Sequence, residues 1–203
     1  MNNQLKYIDY IKEFANKNDV HIWLGGSFLR GNATPFSDVD ISIYCNVDLL
    51  DEFIHGYGTP VYISYTLNPK GILIVIYEDS VAVDLEVIKK IDISDDEFFH
   101  AEDIKKTDYV RDETTCERFA LQNDTQYQMS RLFHRSMIKF LAGKKDAGLS
   151  VADEISAYMG IEKTFDDKNF KSQITQVLNK YNDRYKLPEE YLKVLYALTD
   201  ELK

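Results

Sequence analysis

Positive charge, cysteine and long apolar runs are all scarce in this sequence of 203 residues. Its two cysteines, Cys45 and Cys116, lie far apart and form no CxxC pair, which excludes a disulfide scaffold or a thiolate zinc knuckle. No uncharged run approaches the ~20 residues that a helix needs to cross a bilayer, and the start, MNNQLKYIDY, has no apolar signal core. A cytoplasmic location away from membranes is the expectation. Against 34 Asp+Glu there are only 24 Lys+Arg, and the deficit is local. Residues 1–110 hold 9 basic and 19 acidic side chains, whereas residues 111–203 hold 15 of each. The first half therefore repels a nucleic-acid backbone and attracts cations, which speaks against a nucleic-acid partner. For net charge alone plain solubility is the simpler reading, so particular acids must decide. What the chain does have is 14 Tyr, 11 Phe and 44% hydrophobic residues, enough to pack without metal or disulfides.

The apolar residues Leu5, Tyr7, Ile8, Ile11, Phe14 and Ala15 recur at helical spacing. A short apolar strand, 20–24, ends in Gly25-Gly26-Ser27, where Ser27 reads as the N-cap of a short helix. Residues 31–37 are turn-rich, and 38–44 alternate acid and apolar residues as a strand does. A helix capped by Asp48 is expected over 48–55, then a hairpin of 61–67 and 72–77, then a strand over 81–88. That strand puts Val81, Val83, Leu85 and Val87 on one face and Asp84 and Glu86 on the other. The charged stretch 92–112 reads as a solvated connection. Helical patterns follow at 114–141, 150–159, 170–185 and after Pro188. The expected fold is α+β: a mixed-sheet domain over 1–110, then a helical bundle over 111–203, with the active site in the cleft between them.

Chemistry concentrates in Leu24-Gly25-Gly26-Ser27, a gap of ten, Asp38-Val39-Asp40-Ile41, and Asp84 on a later strand. Residues two apart on a strand face one side, so Asp38 and Asp40 offer two carboxylates to a common hard cation. Two such carboxylates repel each other unless a cation sits between them. A glycine turn opening a helix can hold phosphate oxygens, and the two together describe a magnesium nucleotide. Asp84 is the third acid, with Glu86 its competitor on the same face; either could be a metal ligand or a general base. Gly-Gly-Ser alone is a common turn and Asp-x-Asp alone is commonplace. Their joint spacing carries the reading.

This pattern resembles the nucleotidyltransferase superfamily that includes DNA polymerase β. Small size and a helical second half look most like the bacterial aminoglycoside and lincosamide nucleotidyltransferases, and similar small proteins act in toxin–antitoxin pairs. The resemblance implies that Gly26 and Ser27 bind the nucleotide triphosphate, that Asp38 and Asp40 ligate Mg2+, and that Asp84 is the third carboxylate. The implied reaction moves a nucleoside monophosphate, AMP from ATP, to a hydroxyl of a small, cationic, aminoglycoside-like acceptor and releases pyrophosphate. Some relatives place the active site at a dimer interface, so a homodimer is among the expectations.

Arg118, Arg131, His134, Arg135 and Lys139 fall on one expected helix, where Arg131 and Arg135 share a face that could hold β- and γ-phosphates. A solvated face with ordinary ion pairs is the plainer reading. His21 and Trp23 read as structural, Lys144 and Lys145 as surface loop charges, and most tyrosines of the second half as packing residues, although one could stack a nucleobase. Two other functions remain open: an antitoxin that adenylylates a partner toxin protein, and a silent nucleotide-binding module. Retention of all three acids and of Ser27 argues against the second.

Overall fold

The computed structural model describes residues 2–91, 99–100, 109–162 and 164–203. It divides into two units, Met1–Asn123 and Asp124–Lys203, a boundary beyond the composition change at 110.

The first unit opens with α1 (Asn2–Asn18), followed by β1 (His21–Leu24), α2 (Gly26–Leu29) and β2 (Val39–Tyr44). Next come α3 (Val47–Gly56), β3 (Pro60–Leu67), β4 (Lys70–Tyr77), β5 (Ala82–Ile91), β6 (Phe99–His100) and β7 (Tyr109–Arg111), then a 3-10 turn, Thr115–Arg118. Among the described residues the strands form one sheet in the order β3-β4-β5-β2-β1-β6, with β7 paired to β5. β2 runs antiparallel to β1 and parallel to β5. One face is apolar throughout. Ile22, Leu24, Val39, Ile41, Ile43, Val83, Leu85 and Val87 are buried with Tyr7, Ile11 and Phe14 of α1 and Leu50, Phe53 and Ile54 of α3. The alternation of β2 and β5 is thus explained: every second residue enters this core. The opposite face carries Asp40, Ser42, Asp84 and Glu86.

Local details differ from expectation. The cap of α3 is Asn46, whose Oδ1 accepts from the Leu49 amide at 2.9 Å, rather than Asp48, which sits in the first turn. Asn46 precedes the helix with extended backbone, as a cap must. The expected connection over 92–112 contributes two strands, β6 against β1 and β7 against β5. Residues 92–98 and 101–108 of that connection lie outside the described residues.

The second unit comprises α4 (Thr125–Leu141), α5 (Lys145–Tyr158), α6 (Phe170–Tyr185) and α7 (Glu189–Glu201). A helical bundle is found as expected. The long helix begins at Thr125 instead of 114, because Asp124 caps it by accepting from the Tyr127 amide. α5 begins at Lys145, before the expected Ser150, and Lys145 pairs with Asp167 at 2.7 Å instead of standing in a loop. Tyr181 and Tyr191 are buried, donating to the carbonyls of Gln126 and Ser130, so they pack as expected. No helix among the described residues is long and apolar enough to cross a membrane.

Candidate active site

Strand pairing sets the geometry. β1 ends at Leu24 opposite Ile41, and the next amide, Gly25 N–H, donates to the Asp40 carbonyl at 2.8 Å. That bond brings the glycine turn against β2. Gly26 has φ +60°, and a Cβ there would overlap Asp40 Oδ2, so the absent side chain makes room for the Asp40 carboxylate. Only glycine meets both conditions without strain.

Ser27 departs from its expected place. The cap of α2 is Gly25, with no side-chain cap bond, and Ser27 lies inside the helix. Its residue is 8% exposed, and its Oγ has no hydrogen-bond partner. Buried hydroxyls are ordinarily bonded, and an orphan next to a carboxylate-bearing strand fits a site for a ligand oxygen.

Asp40 and Asp84 occupy directly paired positions on the parallel strands β2 and β5, and both are half-buried. Asp38 lies just before β2 and is also half-buried. Among the described residues no group of three or more His, Cys, Asp or Glu forms a ready-made metal site. The fit to magnesium rests on donor chemistry, since these acids supply the oxygen ligands that this hard ion takes, with phosphate and water completing its shell.

Glu86 is occupied otherwise. Its Oε2 accepts from Ser42 Oγ at 2.8 Å, and its Oε1 accepts from Arg111 Nε at 2.6 Å and Tyr109 Oη at 3.2 Å. Burial alone would lower the Arg111 guanidinium, but its bond to Glu86 leaves it above the ordinary value. Burial first, then the Glu86 charge, raises the Tyr109 phenol. Sequence reading missed Ser42, Tyr109 and Arg111. The only signal was the short alternation Tyr-Val-Arg inside an acidic stretch.

Arg131 is half-buried and Arg135 exposed, both on α4 of the second unit. His134 is buried. Arg118 is not on that helix: it ends the 3-10 turn and lines a cavity of about 320 Å³ with Val47, Asp48, Asp51 and Phe119. Neither cysteine suits nucleophilic chemistry, since burial pushes both thiols up to about 12.

The first unit is thus a mixed sheet with a glycine–serine turn packed on β2 and a second acid paired with Asp40 from β5. A family model described as "Nucleotidyltransferase domain" matches residues 6–113, more than half of the chain, and the chain belongs to that family. The matched segment runs from α1 through β7, so the strands found in the expected connection are part of the family domain. A comparison with curated proteins finds no match.

Proposed function

We propose that the protein is a magnesium-dependent transferase that moves a nucleoside monophosphate, AMP from ATP, to a hydroxyl of a small cationic acceptor of the aminoglycoside type. The observation that carries this reading is the packing of Gly26 on Asp40 beside the buried, unpartnered Ser27 hydroxyl.

Ser27 donates to an oxygen of the triphosphate, for which its hydroxyl has no competing acceptor. Asp38 and Asp40 hold Mg2+, and Asp84 takes the third carboxylate position. Bound magnesium would lower the pKa of the attacking hydroxyl and neutralise charge on the departing pyrophosphate. The acceptor oxygen forms a bond to the α-phosphorus, the bond from that phosphorus to the bridging oxygen breaks, and the hydroxyl proton passes to a site carboxylate, with Asp84 our choice. Glu86 is the poorer choice, because Ser42, Tyr109 and Arg111 already donate to its oxygens. Arg131 and Arg135 remain proposed contacts of the phosphates. The acidic first half supports a cationic acceptor and no nucleic acid, since the same field draws one and repels the other.

The test combines purified protein, Mg2+, each of the four nucleoside triphosphates and a panel of aminoglycosides and lincosamides, with pyrophosphate release as the readout. Release is expected with at least one pair, and Asp40→Asn should lower turnover on the order of 10³-fold while the circular dichroism is kept. Undiminished turnover in that variant would remove the metal assignment. Labelling of a co-purified protein in place of any small molecule would move the acceptor to the protein class.

A further inference from the structure

We propose that Glu86 is a positioning residue for the Asp40–Asp84 pair, and that it holds the Arg111 charge away from that pair. The inference rests on the reading that the pair binds a divalent cation.

Ser42 lies two residues after Asp40, and Glu86 two after Asp84, and these positions again face each other across β2 and β5. The Ser42–Glu86 rung thus lies behind the acid rung on the same face, roughly 6.5 Å along the strands. The hydrogen bond from Ser42 Oγ to Glu86 Oε2 ties the two strands at 2.8 Å next to the acids, so the spacing of Asp40 and Asp84 is set from behind. The other carboxylate oxygen takes Arg111 through both Nε and Nη2, together with the Tyr109 hydroxyl. Arg111 is further fixed by Nη1, which donates to the Lys70 carbonyl at 2.9 Å. Its aliphatic stem crosses Gly71 near the start of β4, where a Cβ would lie 2.8 Å from Arg111 Cδ, so a larger residue there would push the arginine off its place.

The charge logic follows from position. Two carboxylates facing each other attract whatever cation can reach them. A guanidinium one rung away competes with a divalent ion unless its own charge is matched, and Glu86 matches it. Removing the Glu86 charge while keeping its shape therefore weakens cation binding in two ways: the seam loosens, and Arg111 becomes a competitor. A direct ligand role for Glu86 predicts a different pattern, because removing Arg111 could not then restore the cation.

The experiment measures Mn2+ binding by electron paramagnetic resonance to the full chain, without nucleotide, so that no turnover is needed. Wild type should bind and Asp40→Asn should not. Glu86→Gln should bind about tenfold more weakly, and Glu86→Gln combined with Arg111→Met should return to within about threefold of wild type. Arg111→Gln replaces Arg111→Met in the double variant should the latter fail to fold. Ser42→Ala, which breaks the seam bond without moving a charge, should weaken Mn2+ about threefold. Wild-type affinity in Glu86→Gln overturns the inference, and so does a double variant as weak as the single one, which would make Glu86 a ligand. Equal binding by wild type and Asp40→Asn overturns the cation reading itself, a result distinct from the other two.

Discussion

Ser27 and Gly26 are neighbours with opposite expected behaviour on substitution. A buried hydroxyl without a partner lowers stability by about 1–3 kcal/mol relative to an apolar atom in its place. Ser27→Ala should therefore melt at the same temperature as wild type or slightly higher, while nucleotide affinity falls about tenfold through loss of a bond to a charged oxygen. Thermal melting and a nucleotide titration on the same sample check this; a less stable protein with unchanged affinity would return Ser27 to the core. Gly26→Ala should lose both stability and activity. Its positive φ strains any L side chain, and the added methyl group meets the Asp40 carboxylate.

The 3-10 turn at Thr115–Arg118 is held by Asp112, which follows β7 directly. Asp112 Oδ1 accepts from the amides of Thr114 and Thr115, both at 3.1 Å, and from Thr114 Oγ1 at 3.0 Å. Burial would raise this carboxyl, but the Thr115 and Thr114 donors outweigh it and lower it to about 2 from an ordinary 3.8. A lowered folded value means that the native state favours the carboxylate. Its contribution is complete above the unfolded value and is lost as pH falls toward 2. Asp112→Asn should destabilise by about 1 kcal/mol at neutral pH, and the difference from wild type should shrink between pH 4 and pH 2 in denaturant titrations. None of this was legible in the charged stretch 92–112, because a three-residue strand has too few positions for a period to show. β2 and β5 were legible, because each buries one face fully and carries acids, Asp40 on β2 and Asp84 and Glu86 on β5, on the other. The turn at Gly25-Gly26 and the strand positions of Asp40 and Asp84 were legible from residue type and spacing, while the roles given to them come from the family resemblance and are proposals. What spacing could not show was that Glu86 is saturated by Ser42, Tyr109 and Arg111, since that depends on which strands become neighbours. The cap of α3 was misread by two residues: Asn46 and Asp48 are both good caps, and only the backbone distinguishes them.

At the scale of the molecule, the charge of the first half should make transfer to the proposed cationic acceptor sensitive to salt. Raising ionic strength from about 0.01 M to about 1 M shortens the screening length from about 30 Å to about 3 Å. The KM of a polycationic acceptor should rise several-fold over that range, while an uncharged acceptor should respond far less; steady-state kinetics on both decides whether the field acts on the acceptor. The pairing of β2 with β5 has a consequence for how the protein comes into being. Asp40 and Asp84 are brought together by a parallel contact that spans α3 and the whole β3–β4 hairpin. The hairpin can zip from its own turn, but the parallel seam closes only after a long loop has been ordered, the slower kind of contact. On the ribosome, Asp40 has no facing acid until β5 has emerged. Catalytic competence should therefore appear late in refolding, after hairpin formation, and no fragment that stops short of β5 should regain it.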